Sequence, residues 1–227
     1  MKTRILNIET TTKNCSVSLA ENGKIISLKE INEGNYSHAE NLHLFIDAVL
    51  SEAKTTVKDL TAVAISKGPG SYTGLRIGVS AAKGHSFALD IPLISTNTLE
   101  ALARSIRIDN GVIIPVLDAR RMEVYQAVFD MNYKSIEPTK AKVVVADSYD
   151  AYLEKGKVYF VGDAVDKLKT ILNHPNAIFI ENHFPSSKEM GLLSYEKFTD
   201  NIFEDVAYFE PFYLKDFIVI KSTKKYF

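Results

Sequence analysis

Two acids stand at matching places in this 227-residue chain. Glu9 closes the apolar run RILNIE (4–9), and Asp118 closes GVIIPVLD (111–118). Carboxylates at the ends of buried strands sit where open sheets collect their ligands. Each is followed by a tight polar turn, Thr10-Thr11-Thr12 after the first and Ala119-Arg120-Arg121 after the second. Such turns offer backbone N–H groups and hydroxyls to phosphates. Glu9, Thr10, Thr11, Asp118 and Arg120 therefore read as a vestigial nucleotide cleft between two halves of the chain. The alternative is that both acids only cap turns.

A second loop, KGPGSYTG (67–74), follows an apolar run and opens a helix, the place where backbone anion sites form. Gly68 and Gly70 permit positive φ and Pro69 stiffens the turn. The Walker lysine-serine pair is missing, so this is no ordinary P-loop. The plainer reading is a strand-to-helix connection capped by Ser71 or Thr73. Of the five histidines, His38 and His43 lie five apart and so point to different sides of a helix. That is not zinc spacing, no serine–histidine–aspartate grouping stands out, and no metal is expected. His85 sits among small residues and reads as a packed or interface residue. Cys15, the one cysteine, alternates with Val17 and Leu19, which places it in a strand core.

Two helices flank the glycine loop. In the first, Leu42, Phe45, Ile46, Val49, Leu50 and Ala53 share one face, and Leu44 and Ala48 widen it beyond the ~100° stripe that one core contact needs. The second carries Gly74, Gly78 and Ala82 at four-residue spacing, with Ala81, Gly84 and Ala88 nearby. A helix-interior glycine costs about 1 kcal/mol relative to alanine, so several imply the close approach of another backbone. The pattern reads as a partner interface built from Leu42, Phe45, Val49, Gly74, Leu75, Gly78, Val79 and Ala82. The alternative is that the sheet and the second half cover these faces internally.

The elements that would position these residues form an α/β order. Strands at 4–9, 15–20 and 25–31, with Asn22-Gly23 as a hairpin turn, precede a helix at 38–53, a strand at 61–66 and a helix reaching Leu89. A strand at 92–95 and a helix capped by Asn97 or Thr96 follow. The second half repeats the pattern, with strands at 111–118, 123–130 and 141–146. Further on lie a helix at 147–155, a strand at 157–162, a helix at 163–172, a strand at 177–180 and a helix at 188–199 capped by Ser186 or Ser187. Two lobes are expected, 1–104 and a smaller 105–227, with the tail from about 207 packing back on the first. The formal net charge of −1 offers nucleic acid no general attraction. The opening run is too short and broken for a signal or a membrane span, so the chain is expected to be cytoplasmic, with no membrane partner.

The runs ILNIETTTKNCSVSL (5–19), AISKGPGSYTGLRIGVSAAKGHSFALDIPLISTNTLEAL (64–102), VLDARRMEVYQAVF (116–129) and EPFYLKD (210–216) closely resemble the TsaB/YeaZ family. The resemblance implies a two-lobed actin-like fold, made of duplicated ribonuclease-H-like mixed sheets with a reduced second lobe. It also implies a non-catalytic partner of a TsaD-like subunit, joined by a TsaE-like ATPase, in making N6-threonylcarbamoyladenosine at adenosine thirty-seven of tRNA. Pairing through the two helices, a homodimer when the partner is absent, only indirect contact with tRNA, no catalytic residue and no tightly bound cofactor follow from it, with ATP held only in the complex. The family usually has aspartate where this chain has Glu9, whose longer side chain would crowd a phosphate–metal site. The competing functions are an independent actin-like ATP-binding transferase or kinase using the Glu9/Asp118 cleft, and a metal-dependent glycoprotease-like peptidase.

Overall fold

Leu6 and Ile8 alternate with Ile5, Asn7 and Glu9, so β1 (Arg4–Glu9) presents a different apolar set to each side of its sheet. A computed structural model describes residues 2–32 and 38–215. Asp216, in the last of the family-like runs, and the rest of the tail to 227 lie outside the described residues. β2 (Cys15–Glu21) and β3 (Lys24–Ile31) continue from β1 as an antiparallel meander. Their hairpin turns on Asn22 and Gly23, both at positive φ, the conformation this dipeptide favours. Helix α1 (His38–Glu52) leads to β4 (Ala62–Ser66), α2 (Tyr72–Leu89), β5 (Leu93–Thr96) and α3 (Thr98–Ala103). The first sheet has the order β3-β2-β1-β4-β5, with β4 and β5 parallel to β1.

The second half builds the same arrangement again. β6 (Val112–Asp118), β7 (Glu123–Asp130) and β8 (Ser135–Val143) form the meander, and β9 (Val158–Val161) and β10 (Ala177–Ile180) add parallel strands. Read from its far edge, the order is β8-β7-β6-β9-β10. This is a two-lobed α/β fold of the actin-like kind, with duplicated ribonuclease-H-like sheets. The second copy carries shorter helices, α4 (Asp150–Leu153) and α5 (Val165–Lys169). Among the described residues no helix is long and apolar enough to cross a membrane.

Three expectations need correction. The third strand of the second meander is not 141–146: it begins at Ser135 and ends at Val143. Pairing with β7, displaced by two irregularities, sets its span, while Val143 and Val145 face solvent. Neither Ser186 nor Ser187 caps the last helix, α6 (Met190–Thr199). Their hydroxyls turn instead to Ser16, at 3.2 and 2.8 Å, and Ser186 also donates to Glu30 at 2.6 Å. Finally, α6, expected within the smaller lobe 105–227, packs on the first sheet. Met190 and Leu193 pack with Ile5, Ala62, Ala64, Ile94 and Ala101 on the face of the first sheet opposite α1 and α2. Ser194 donates to Asn7 at 2.7 Å, and Lys197 to the Ser95 carbonyl at 2.6 Å.

After α6 the chain stays on the first lobe. The Glu204 N–H donates to the Leu93 carbonyl at 2.8 Å, Phe209 is buried, and the Phe212 N–H donates to the Lys67 carbonyl at 2.7 Å. The Tyr213 ring lies 5.0 Å from that of Tyr72 at the start of α2. Lys215 then crosses to the second lobe and pairs with Glu123.

Candidate functional site

The cleft residues fall into two unlike groups. Glu9 is fully buried, as are Thr10 and Thr11. Glu9 Oε1 accepts the Thr11 N–H at 2.6 Å. The Thr10 hydroxyl donates to the Gly74 carbonyl at 2.8 Å, and the Thr11 carbonyl accepts the Ser71 N–H at 2.6 Å. The turn after β1 is thus tied down by its own strand and by α2. Burial pushes the Glu9 carboxyl above the ordinary range, against the neighbouring hydroxyls of Ser66 and Thr11 and the Thr11 and Thr10 N–H groups. Ser66 lies near enough to favour the charged form without forming a well-shaped hydrogen bond to Oε2, its hydroxyl standing 2.7 Å from that of Thr98.

Asp118, by contrast, is exposed. It accepts the Arg120 N–H at 2.8 Å and pairs with Lys167. Its own N–H donates to Asp163 at 2.8 Å. Arg120 and Arg121 both hold positive φ, 70° and 51°, and close the tight β6–β7 turn with exposed side chains. Burial, first, and the charge of Asp118 push the Asp163 carboxyl up to about 6, although the residue as a whole is exposed. Lys167 and Lys13 work the other way, so the turn after β1 comes near the second lobe at Lys13. The structure thus groups Glu9, Thr10 and Thr11 inside the first lobe, and Asp118 and Arg120 at the surface of the second.

The glycine loop follows the plainer reading. Ser71 caps α2, its hydroxyl accepting the Gly74 N–H at 3.3 Å. Gly68 takes a φ of +111°. Gly70 is needed for a different reason: a Cβ there would overlap the Thr11 carbonyl. The small-residue stripe continues the same contact. A side chain at Gly74 would strike the Thr10 carbonyl, and one at Gly78 the Thr10 hydroxyl. The close backbone inferred from the stripe belongs to this chain's own β1 turn.

That finding corrects the expected partner surface. Leu42, Val49, Leu75, Val79 and Ala82 are buried in the first lobe, Gly74 and Gly78 lie against Thr10, and Phe45 is half-buried against the core. What α1 and α2 turn outward is another set. Leu44 and Phe87 are exposed, and a groove between the helices is lined by His43, Ile77, Ala81, Gly84, His85 and Ala88. The His43 and His85 rings stand 6.3 Å apart there. Gly84 has open space where its side chain would be. The second set was present in the sequence as Leu44, Ala81, Gly84 and Ala88, the residues left over once one core stripe is drawn on each helix. His38 is buried, with Nε2 2.7 Å from the Thr12 carbonyl, and burial lowers its pKa.

The family model for TsaD, tRNA N6-adenosine threonylcarbamoyltransferase, matches residues 32–217. Similar proteins include the tRNA threonylcarbamoyladenosine biosynthesis protein TsaB of Bacillus subtilis, 30% identical over 85% of this chain and 87% of that one. The Escherichia coli protein of the same name is 26% identical over 96% of this chain and 97% of its own length. This chain belongs to the TsaB/YeaZ family. Solved structures agree on the TsaB/YeaZ fold. A Pseudomonas aeruginosa protein described as similar to the peptidase YeaZ superposes with a TM-score of 0.81 at 21% identity, covering 94% of this chain and 100% of that one. YeaZ of the same organism gives a TM-score of 0.76 at 22% identity, covering 93% and 100%.

Proposed function

We propose that this chain is a non-catalytic partner subunit. It scaffolds a TsaD-like transferase, with a TsaE-like ATPase, in forming N6-threonylcarbamoyladenosine at adenosine thirty-seven of tRNAs that read codons beginning with A. The observation that carries the reading is the near full-length likeness to TsaB proteins of threonylcarbamoyladenosine biosynthesis. The geometry around Glu9 supports a partner role over an independent kinase. The Thr11 N–H and the Thr10 hydroxyl are spent inside the chain, leaving the first half-cleft little to offer a triphosphate. ATP is accordingly bound weakly or not at all by the isolated chain and held only in the complex.

The partner seat in this reading is the outward groove between α1 and α2, in place of the inward face. The same apolar groove pairs two copies when the partner is absent. The test is affinity purification of the tagged chain from its own cell, with Gly84→Gln and Ala88→Glu compared to wild type. Both positions are exposed, so circular dichroism should be unchanged. A TsaD-like protein should copurify with wild type and fall at least about tenfold in the Ala88→Glu variant, because a charge buried without a partner costs several kcal/mol. If no TsaD-like protein copurifies with wild type, the scaffold reading fails. If both variants retain it fully, the seat lies elsewhere.

A further inference from the structure

The segment that brings the chain back from the second sheet to the first frames a second cavity, apart from the groove between α1 and α2. It holds about 290 Å³ and lies where the start of β2 and the end of β3 meet Ser105, just after α3, and the residues between β10 and α6. Two carboxyls line it, those of Glu30 and Glu189. Glu30 is held through one oxygen. Its Oε2 accepts the Ser186 hydroxyl at 2.6 Å, the Ser16 hydroxyl at 3.1 Å and the Asn14 amide at 3.5 Å. Glu189 stands at the start of α6 but does not cap the helix with its side chain.

What this cavity offers is mostly acceptors. Asn14 also lines it and is only 5% exposed. Its amide nitrogen is spent on the Pro185 carbonyl at 2.9 Å and on Glu30. That fixes which way the amide lies and leaves Oδ1, which accepts no hydrogen bond among the described residues, to serve the cavity. All three donors to Glu30 use Oε2, so its Oε1 is likewise without a donor among the described residues. Burial, first, and the charge of Glu30 push the Glu189 carboxyl up, against its own N–H and the charges of Lys188 and His183. The two carboxyls act on one another through charge and not through a hydrogen bond, so no proton is shared between them. An acceptor on a side chain this deeply buried calls for a donor.

We propose that this cavity binds a small organic cation, carrying a guanidinium or a primary ammonium group, among Glu30, Glu189 and Asn14. Both groups have donors only, which matches the three acceptors, and their bonds to carboxylates are the strong, charge-assisted kind. Phe184, which lines the same space, offers a ring face to a cation. Lys188 is in the lining too and balances one carboxylate, which leaves a place for one further positive charge. A metal ion fits worse. Among the described residues no three histidine, cysteine, aspartate or glutamate side chains come together to hold one, and the volume is closer to that of a small-molecule site. A bound cation would fasten the returning segment to the edge of the first sheet. This inference does not depend on the partner proposed above.

The test is titration calorimetry of the full chain near neutral pH with three probes: n-propylguanidinium, n-butylammonium and n-propylurea, the last an uncharged isostere of the first. At least one cation should bind saturably at one site per chain, the tighter of the two naming the head group, and the urea should bind at least about tenfold more weakly. Glu189→Gln should weaken the cation at least about tenfold, because a charge-assisted bond becomes a neutral one. Lys188→Gln, at an exposed position, should tighten it by removing a competing charge. Glu196→Gln, at an exposed acid further along α6, should leave it unchanged. No saturable binding of either cation would overturn the proposal and leave a cavity filled by water. Equal binding of the urea, or full binding in the Glu189→Gln variant, would overturn it as well. Should that variant fail to fold, the urea and Lys188→Gln decide, weaker cation binding in Lys188→Gln counting against the proposal.

Discussion

Glu9 and Cys15 are neighbours inside the first lobe, and each raises a test of its own. Burial holds the Glu9 carboxyl above the ordinary glutamate value of 4.5. The unfolded chain then releases this proton at lower pH than the folded chain does. The contribution of Glu9 to stability is full below the unfolded value and is lost as pH rises toward the folded one. Urea unfolding should therefore show stability declining with pH from about 4.5 upward. Glu9→Gln should flatten that decline, and a slope of wild-type steepness in the variant would assign it to other groups. For Cys15, burial and the nearby Glu9 push the thiol up to about 11. Its thiolate is scarce at neutral pH and shielded by the core. A disulfide reagent should label it slowly in the folded chain and at the rate of a free thiol in urea. Fast labelling of the native chain would mean that β2 opens far more readily than its burial implies.

At the scale of the helix, three glycines of α2 make opposite predictions. Gly74 and Gly78 press against Thr10, whereas Gly84 looks into open space. Gly74→Ala and Gly78→Ala should each destabilise the chain by roughly 1–3 kcal/mol, as overpacking of a tight contact does. Gly84→Ala should stabilise it by about 0.5–1 kcal/mol, the gain in helix propensity alone. Chemical denaturation of the three variants checks the order, and equal effects at all three would show that the turn does not set the spacing. The contrast also marks how far the sequence could be read. Glycines at four-residue spacing announce a close neighbour, but spacing carries no information about which neighbour. Here it was Thr10, more than sixty residues earlier in the chain and brought in by strand pairing. The strands were legible for the opposite reason. The alternation of Cys15, Val17 and Leu19 and the Asn22-Gly23 turn are local signals. The start of β8 was not legible, because Ser135 to Thr139 lack an apolar alternation and are set by pairing with β7. The candidate cleft was legible as residue types in sequence, while the burial of Glu9 and the exposure of Asp118 depend on packing from elsewhere.

At the scale of the whole molecule, two sheets that are separate in sequence are sewn together. α3 lies against the second sheet through Leu99 and Leu102 while Ala101 packs on the first. α6 and the segment to Lys215 return to the first sheet from beyond the second. The fragment 1–104 lacks Met190 and Leu193, so one face of its sheet stays uncovered. It should give no cooperative unfolding transition, whereas the full chain should melt in a single one. Calorimetry of both checks this, and a fragment that melts sharply would show that the first lobe is self-sufficient.

The return of α6 also fixes an order of events during synthesis. Ile5, Ala62, Ala64 and Ile94 leave the ribosome early, yet their cover is made only after the second sheet has been translated. At about 5–20 residues per second, that half-built face is open to solvent for several seconds at least. Slowing translation between α3 and α6 would lengthen that exposure without altering the finished fold.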